Sequence, residues 1–571
     1  MLYFIFVWTF LIINFYLTGT ALLNVLKADF KQVGDRFIFA VWLGVIVLAI
    51  SLLATSIILP LSPLVGTVII LSISFLSLLL PSCRAEIVAL KTALSLDIIC
   101  GFFTLELGVA ALTTRQVTWI DTGLYHYGFI KWLSEFGAVP GVALLLSQFG
   151  FTSSWFALAA PLNAEIFADR VSAVTNGFAF LITVLHLFLC LAQAYTNKAR
   201  ISDWFVIIFS SIIIPILLFY NLMSTILVSP SPDLPIVFLI EVVAWAILII
   251  SNQKKTDLPI AKTPILDVRI VPLLLSAGAV TIKLIAIPLL FISSIFYVSG
   301  QRLSVQRVLM VIVAIILLLS PMFVFGIITS GCPLFPSSFL CLNLPWSPSA
   351  QEVKAVSDGT HNWVSWYGSP SASANSWLGL FWKLFSDSKP NKVMALLIVV
   401  STVCATHIAL TSKNSQIRGQ LWLIVLAASG VIFLISTAPF VRFELGYLLI
   451  LPAFSIAKCS EKIFNSISPL TNKSILLHHL INLRRILLTS PFFLAALIIT
   501  IFIKNGTEYQ LLLPPQLPQA RLRQTQVNNI KYFSPDGLCW AAELPCTFEV
   551  KKDIRLRDSK RGIKAGFVVE K

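Results

Sequence analysis

The chain has 571 residues, of which 57% are hydrophobic and 12% are charged, and its mean hydropathy is +0.89. A soluble domain carries about twice that share of charged residues, roughly 25%, so the composition excludes an ordinary soluble domain. The net charge of +15 does not indicate nucleic-acid binding, because most Lys and Arg residues lie in short connections between apolar segments. Such positive-inside connections are typical of membrane proteins. We therefore predict an all-α polytopic membrane protein with the lipid bilayer as a partner and no nucleic-acid partner.

The apolar segments are long enough to cross a membrane, which takes roughly 17 to 25 residues each. The first segment, 1–26, lacks a basic n-region and is predicted to be a span rather than a cleavable signal peptide. The stretch 267–299 is longer than one crossing requires and is interrupted by Lys283 and Pro288, so we predict a pair of short helices there. With that pair, about 14 transmembrane helices are expected. The other predicted spans are 37–59, 63–81, 95–112, 172–195, 204–228, 234–251, 305–329, 393–412, 418–438, 441–457 and 486–503.

The basic connections also predict an orientation. Successive spans place their connections on alternate sides of the membrane. If all of the basic connections are cytoplasmic, this alternation is consistent only when 267–299 crosses the membrane twice. Both termini then lie outside. The loop 113–171, the loop 330–392 and the tail 504–571 also fall outside, so we predict a transmembrane domain over 1–503 and an extracytoplasmic C-terminal cap over 504–571. The basic residues concerned are Arg84, Lys91, Lys198, Arg200, Lys254, Lys255, Lys262, Arg302, Arg307, Lys413, Arg418, Lys462, Lys473, Arg484 and Arg485.

Four of the nine cysteines form two local pairs in these outer segments, Cys332 with Cys341 and Cys539 with Cys546. Disulfides persist in oxidising compartments, so the pattern predicts a bridge within each pair. The spacings differ from those of CxxC metal clusters, which disfavours a zinc site.

The loop 330–392 is rich in aromatic residues. Flat aromatic rings are suited to stacking on the apolar faces of sugars, but tryptophan is also enriched at any membrane surface, so a glycan-contacting lid and an interface anchor both stay open. The residues are Trp346, Trp363, Trp366, Tyr367, Trp377 and Trp382, with His361 among them.

The tail 504–571 is the one sizeable polar segment of the sequence. Phe548 and Val550, and then Ile554 and Leu556, alternate with polar residues and predict short strands. A cap over the membrane domain and a peripheral appendage are both compatible with this pattern.

The segment from Trp119 to Pro140, WIDTGLYHYGFIKWLSEFGAVP, lies between two strongly hydrophobic segments. Its apolar residues Phe129, Ile130, Leu133 and Phe136 recur at helical spacing, with Lys131, Ser134 and Glu135 on the other face. We expect this amphipathic helix to lie along the membrane surface and to hold Asp121 at the water boundary. Aspartate is also a preferred helix N-cap, so a purely capping role for Asp121 stays open.

The same segment contains an acid just outside an early span, an aromatic residue and a histidine at the fourth and fifth positions, and a glycine with a proline three residues on. These are Asp121, Tyr125, His126, Gly137 and Pro140. The pattern resembles the first outer loop of the GT-C integral-membrane glycosyltransferases. The resemblance implies that Asp121 faces a sugar-transfer site and that the donor is a polyprenyl-phosphate-linked sugar. Many GT-C members have two adjacent acids where this chain has Asp121 and Thr122, so a divalent metal ion, Mg or Mn, stays open.

Ionised groups within spans cost roughly 2.5 to 3.5 kcal/mol on insertion scales, so each one requires a partner or a function. The predicted topology places Glu241, Lys283, Arg442 and Glu444 toward the outer side, at the level of Asp121. Lys283 and Arg442 would hold a lipid-linked phosphate, and Asp121 would accept the proton of a sugar hydroxyl. Alternatively, Arg442 pairs with Glu444 or Glu241, and Lys283 extends to the membrane surface.

The predicted site therefore has Asp121 as general base and five substrate-binding residues. The sequence favours a glycosyltransferase on the extracytoplasmic face of a bacterial plasma (inner) membrane, with a lipid-linked or cell-envelope glycan as acceptor. A polysaccharide polymerase or ligase is disfavoured because the loop 330–392 contains no Arg. A transporter or flippase of lipid-linked glycans would place its polar groups near the midplane. The five binding residues are Tyr125, His126, Glu241, Lys283 and Arg442.

Overall fold

The structure is a computed structural model that describes residues 1–163, 174–252, 265–299, 304–361, 389–411, 417–467 and 473–570. These residues form nineteen helices and four short strands. The helices are α1 Leu2–Val25, α2 Val33–Ser56, α3 Pro63–Leu78, α4 Pro81–Ala93, α5 Leu96–Thr113, α6 Tyr127–Glu135, α7 Ser154–Ala159, α8 Val174–Tyr195, α9 Ile201–Phe219, α10 Asn221–Leu227, α11 Asp233–Asn252, α12 Ile270–Ile282, α13 Ile287–Val298, α14 Val305–Ser330, α15 Ala350–His361, α16 Lys389–Thr411, α17 Ile417–Thr437, α18 Val441–Ile467 and α19 Lys473–Lys504. The strands are β1 Leu522–Val527, β2 Ile530–Pro535, β3 Ile554–Leu556 and β4 Phe567–Val569.

Ten helices in the described ranges are long and apolar enough to cross a membrane. The number rises to eleven if α3 and α4, which are bent by 94° at the break between them, form one span. The helices α12 and α13 and the last part of α19 are shorter and apolar. The chain is thus a multi-pass, mostly helical membrane protein, and the total of about 14 spans stays a prediction.

Three helices form the centre of the bundle. Helix α11 is buried over 94% of its most apolar stretch, and α2 and α18 are buried over 78%. By contrast, α5 and α16 are buried over only 22% of theirs. Because α5 and α16 are apolar enough to cross a membrane, their exposed surfaces are suited to contact with lipid.

Helices α1 and α2 approach each other closely through glycine. A Cβ atom at Gly19 would lie 1.7 Å from the Ala40 carbonyl oxygen, and one at Gly44 would lie 1.9 Å from the Phe15 carbonyl oxygen. Small residues at a membrane helix interface allow two helix backbones to approach this closely. A larger residue at either glycine would force one of the two backbones to move.

The stretch 267–299 forms the expected pair of short helices. The hydroxyl groups of Ser276 on α12 and Ser293 on α13 lie 2.8 Å apart, and the Tyr297 hydroxyl donates to the Ile265 carbonyl at 2.8 Å. The two helices therefore lie side by side, and the chain reverses between them. Lys283 is the extended residue at this tip.

The two ends of the bundle carry different charged groups. We call the end with the α12–α13 tip the Lys283 face. At the opposite end, the Arg200 face, the Arg200 guanidinium binds Asp35 at 2.8 Å and Asp203 at 2.7 Å. Arg200 and Arg307 come from two of the connections that the sequence analysis assigned to one side, and they lie on one face. Further ion pairs on this face join Arg36 to Glu86 and Arg307 to Asp267.

Helix α6 is the amphipathic helix expected after Asp121, and its apolar side is buried, including Phe129, Ile130 and Leu133. The Lys131 ammonium on its polar side donates to the Ala542 carbonyl of the C-terminal segment at 3.1 Å. That this helix lies along the membrane surface stays a prediction.

Gly137 ends helix α6 with a φ of +75°. A Cβ there would lie 2.5 Å from the Ser56 carbonyl oxygen at the end of α2. The next residue, Ala138, donates its N–H to that same carbonyl at 2.7 Å. Glycine is therefore required both by the left-handed backbone and by the close approach of α2.

The C-terminal segment, residues 505–570, contains two small antiparallel pairs, β1 with β2 and β3 with β4. The β1–β2 turn consists of Asn528 and Asn529, both with positive φ, as asparagine tolerates. The strand expected at Ile554 and Leu556 is present as β3. The strand expected at Phe548 and Val550 is wrong, because this stretch has no regular ladder and is held instead by the Ser534 hydroxyl, which donates to the Phe548 carbonyl at 2.9 Å.

Both expected cysteine pairs are bonded in the structure, Cys332 to Cys341 and Cys539 to Cys546. Each bridge closes a short loop on the Lys283 face.

The C-terminal segment is hydrogen-bonded to two loops of the membrane domain. The Phe567 N–H donates to the Pro140 carbonyl and the Val569 N–H to the Pro345 carbonyl, both at 2.9 Å. The Thr547 hydroxyl donates to the Leu145 carbonyl at 2.7 Å. These bonds place the segment directly over the loop that follows Asp121.

Two of the predicted aromatic residues of the loop 330–392, Trp346 and His361, lie within the described residues. Trp346 donates its indole N–H to the Ile327 carbonyl at 3.1 Å, and the Arg557 guanidinium lies 5.1 Å from its ring centroid. His361 is the last residue of α15. The other aromatic residues of the prediction, Trp363, Trp366, Tyr367, Trp377 and Trp382, lie outside the described residues.

We expect Gly44→Ala to lower the free energy of unfolding by about 1–3 kcal/mol, because the added methyl overlaps the α1 backbone. The matched control is Gly108→Ala in α5, whose added methyl would meet only the Leu494 side chain at 3.7 Å. Thermal unfolding in detergent compares the two variants, and equal melting temperatures would contradict this account of the α1–α2 contact.

Candidate functional site

Four charged side chains meet at the Lys283 face, and we call them the charge cluster: Asp121, Asp233, Lys283 and Arg442. The Arg442 guanidinium lies 3.2 Å from Asp121 Oδ2 through Nη1 and 3.4 Å from Asp233 Oδ2 through Nε. The Lys283 ammonium pairs with Asp233 Oδ1. The structure therefore brings together three residues that the sequence analysis placed in the site and adds Asp233.

Each member of the cluster comes from a different part of the chain, at or near a helix end. Asp233 is the first residue of α11, and Lys283 directly follows α12, so both charges are favourably placed relative to their helix dipoles. Arg442 is the second residue of α18, where a cation is unfavourable. The carboxylates of Asp121 and Asp233 offset that unfavourable position.

Asp121 does not act as a helix cap in the structure. Among the described residues, its carboxylate accepts no capping hydrogen bond from the turn that follows it. That turn, Thr122–His126, is a single wide π-type turn closed by the bond from the Tyr127 N–H to the Thr122 carbonyl. Turns of this kind are frequent at functional sites. The backbone here directs the carboxylate of Asp121 toward Arg442.

Aromatic rings surround the two cations. The Arg442 guanidinium lies 4.9 Å from the ring centroids of Trp119 and Phe443 and 5.1 Å from that of Phe440. The Lys283 ammonium lies 3.5 Å from the centroid of Phe443. These cation–π contacts stabilise the charges, and the rings keep water away from one side of the cluster.

The cluster is reachable from outside the protein. The side chains of Lys283 and Asp121 are 22% and 19% exposed, whereas that of Asp233 is 3% exposed. Burial raises the pKa of Asp121 above its usual value, although the Arg442 guanidinium acts in the opposite direction. Asp121 is therefore an accessible carboxylate that binds a proton more readily than a carboxylate in water.

Tyr125 and His126 lie within the turn that follows Asp121. Their rings are in edge contact at 4.5 Å between centroids, and the His126 ring lies 5.2 Å from that of Phe156. Burial lowers the pKa of His126 to about 3, so its ring is neutral at ordinary pH. His126 Nδ1 lies 3.3 Å from the Thr122 hydroxyl, within the same turn. The structure thus places both residues beside the cluster, where they support the turn.

Glu241 is not part of the cluster, contrary to the sequence prediction. It lies eight residues after Asp233 on α11, about 12 Å farther along the helix axis. Its Oε1 is 3.5 Å from His186 Nδ1, and both side chains are buried. The prediction misjudged the depth of Glu241 because it took residue 241 to be near the outer end of its span.

Glu444 is also separate from the ion pairs of the cluster. Its side chain is fully buried, and within the described part of the chain neither carboxylate oxygen has a hydrogen-bond partner. The ion pairs of Arg442 are with Asp121 and Asp233, rather than with the two glutamates that the sequence analysis offered as alternatives.

Asp233 is the residue that the sequence analysis missed. It lies one residue before the predicted span 234–251, and the predicted site does not include it. A count of charges does not identify it, because the predicted topology already sets three acids, Asp121, Glu241 and Glu444, against Lys283 and Arg442.

The cluster offers a limited set of metal ligands. Within the described ranges, no group of three or more His, Cys, Asp or Glu residues is placed to hold a metal ion. The carboxylates of Asp121 and Asp233 are the oxygen ligands nearest to a common point, and the Arg442 guanidinium lies between them.

We expect Arg442→Ala to lower the free energy of unfolding by about 3 kcal/mol, because it leaves two largely buried carboxylates without this partner. Adding Asp121→Asn should recover part of the loss, since one of those charges is then gone. The control is Arg523→Ala, which breaks an exposed pair with Asp536 at 3.2 Å and should cost at most about 1 kcal/mol. Chemical denaturation in detergent measures these variants and Asp121→Asn alone, and strictly additive losses in the double variant would contradict the pairing.

His126 predicts a dependence of stability on pH. Its pKa is about 3 in the folded chain but about 6.5 when unfolded, so stability is lost as pH falls below 6.5. His126→Gln removes this titration. The stability of the wild type relative to the variant should therefore decrease between pH 7 and pH 5, at roughly 1.4 kcal/mol per unit below about pH 6.5. A constant difference over this range would show that His126 takes up its proton at the same pH in the folded and the unfolded chain.

A family model described as "Domain of unknown function (DUF8201)" matches residues 1–449. The match includes all four residues of the charge cluster and ends before the C-terminal segment. No curated protein and no solved structure matches the chain. Because the model covers most of its length, the chain belongs to the DUF8201 family.

Proposed function

We propose that this protein is an integral-membrane glycosyltransferase. It takes a sugar from a polyprenyl-phosphate donor and passes the sugar to a lipid-linked or cell-envelope glycan. The observation that carries the proposal is the charge cluster, in which one partly exposed carboxylate lies beside two cations at the end of a membrane bundle. A lipid-borne phosphate and a water-borne hydroxyl group would meet at such a place.

The reaction would take place on the extracytoplasmic side of a bacterial plasma membrane. The Arg200 face contains Arg200 and Arg307, from the basic connections that positive-inside topology retains in the cytoplasm. The Lys283 face lies at the other end of the bundle and carries both disulfides, which persist in oxidising compartments. Charge and cysteine chemistry thus support the same orientation.

Lys283 and Arg442 would bind the donor phosphate. The planar guanidinium of Arg442 suits two parallel bonds to phosphate oxygens, and Lys283 supplies a second positive charge. The side chain of Ile120, next to Asp121, is 56% exposed and offers an apolar surface for the first isoprene units. Lys283 and Arg442 would thus neutralise the phosphate charge, a task for which other enzymes use a Mg or Mn ion. A metal ion bound through Asp121 and Asp233 is the alternative.

Among the described residues, the cluster is electrically balanced, with two cations and two carboxylates. An arriving phosphate would add negative charge, so one carboxylate has to give up its cation. Asp121 is the more exposed acid and is bound only at the edge of the cluster, whereas Asp233 is buried between both cations. The phosphate would therefore replace Asp121 as a partner of Arg442 and leave Asp121 free to face the acceptor.

In the transfer step, the acceptor hydroxyl oxygen bonds to the anomeric carbon of the donor sugar. The bond from that carbon to the phosphate oxygen breaks, and its electron pair leaves with the polyprenyl phosphate. The hydroxyl proton moves to the carboxylate of Asp121, whose burial-raised pKa suits a proton acceptor. Lys283 and Arg442 stabilise the charge on the departing phosphate. A single displacement of this kind inverts the anomeric configuration.

One observation favours a second function, transport of a lipid-linked glycan. The Glu241–His186 pair lies deep inside the bundle, with Trp245 in edge contact with the His186 ring at 4.2 Å between centroids. Polar groups at that depth are expected along a translocation path. A transporter would move the intact donor across a bilayer, whereas a transferase would cleave it.

The test uses purified protein in nanodiscs with a panel of polyprenyl-phosphate sugars and glycan acceptors, and mass spectrometry measures the polyprenyl phosphate released. We expect Asp121→Asn to reduce the rate by roughly 10²–10⁴-fold, the usual contribution of a general base, while donor binding is retained. Asp536→Asn, which alters an exposed acid of the C-terminal segment, is the matched control and should be fully active.

Wild-type rates in Asp121→Asn would remove this residue from the mechanism. Donor that stays intact but appears on the opposite leaflet of liposomes would replace the transferase with the transporter.

A further inference from the structure

The C-terminal segment contacts the turn that carries Asp121. The backbone N–H of Trp540 donates to the Gly123 carbonyl at 3.0 Å, only two residues beyond Asp121. Trp540 has a φ of +44°, a conformation that residues with side chains rarely adopt and that persists only where the surroundings hold it. The neighbouring Cys539, bonded to Cys546, closes the loop that presents this residue.

The contact also explains the glycine at position 123. A Cβ atom on Gly123 would lie 2.7 Å from the indole ring of Trp540, closer than any side chain allows. The ring therefore rests directly on the backbone of the turn. Any larger residue at position 123 would push the loop away.

The contact extends on both sides of Asp121. Val117, before it, and Tyr127, after it, form a small buried apolar cluster with Leu517, and Trp540 packs against this cluster. Residues from the C-terminal segment thus hold the chain at both ends of the turn. The two cations of the charge cluster, by contrast, belong to the α12 tip and to α18.

We propose that Trp540, presented by the Cys539–Cys546 loop, is a positioning residue for Asp121. This inference rests on the proposed transferase function. The membrane helices would hold the donor phosphate through Lys283 and Arg442, while the C-terminal segment sets the position of the base. Part of the active site then depends on a segment that lies beyond the family match at residues 1–449.

Two pairs of variants test the proposal by activity. We expect Trp540→Ala to lower kcat by on the order of 10²-fold while the KM for the polyprenyl-phosphate sugar stays unchanged, because only the base is misplaced. Trp540→Phe keeps an aromatic ring on Gly123 and should restore most of kcat. Gly123→Ala should behave like Trp540→Ala, whereas Gly108→Ala, with its nearest neighbour at 3.7 Å, should match the wild type.

Hydrogen–deuterium exchange of the peptide covering residues 119–128 tests positioning without any activity. We expect faster exchange there in Trp540→Ala and in Cys539→Ser/Cys546→Ser, near wild-type exchange in Trp540→Phe, and no change in peptides of α12. The exchange measurement does not require turnover of a donor. Failure of the transferase proposal is therefore distinguishable from failure of the proposal that Trp540 positions Asp121.

Unchanged exchange over 119–128 in Trp540→Ala would overturn the proposal. So would faster exchange across the whole chain, or a rise in KM as large as the fall in kcat, because either result would assign Trp540 a general structural role.

Discussion

The bridge that Arg442 makes between Asp121 and Asp233 is the interaction on which the rest of the site depends. A guanidinium near the start of α18 is unfavourable by itself, and two carboxylates at the edge of a membrane bundle are costly by themselves. Together with Lys283 they form a neutral cluster. The aromatic rings around Arg442 hold its guanidinium in position through cation–π contacts. The cluster thus joins the turn after α5 to α11, to the α12 tip and to α18.

This balance has a consequence for function. The four charges of the cluster balance one another, but its two cations can also be shared with an added anion. A lipid phosphate would compete best at the exposed edge, where Asp121 contacts Arg442 at 3.2 Å. The same event would bind the donor and free the base, so the base would become available only when a donor is present. Below this edge, Asp233 keeps its contacts with both cations and preserves the arrangement of the helix ends.

Sequence reasoning predicted those parts of the site that follow from the cost of a charge in a membrane. Asp121, Lys283 and Arg442 were each expected at a span boundary on one side, and they meet there. The reasoning missed Asp233, which lies one residue before the predicted span 234–251, and misplaced Glu241, which lies about two turns inside that span rather than at its outer end. Contacts between distant segments, such as Trp540 on Gly123, were also beyond reach, since no local pattern encodes them.

The most direct measurement is a cryo-EM structure of the protein in nanodiscs that contain a short-chain polyprenyl phosphate. The account predicts density for the phosphate between Lys283 and Arg442, with the Asp121 carboxylate turned away from the guanidinium and toward the water side. A structure with the Asp121–Arg442 pair intact and the lipid phosphate bound elsewhere would contradict the central claim.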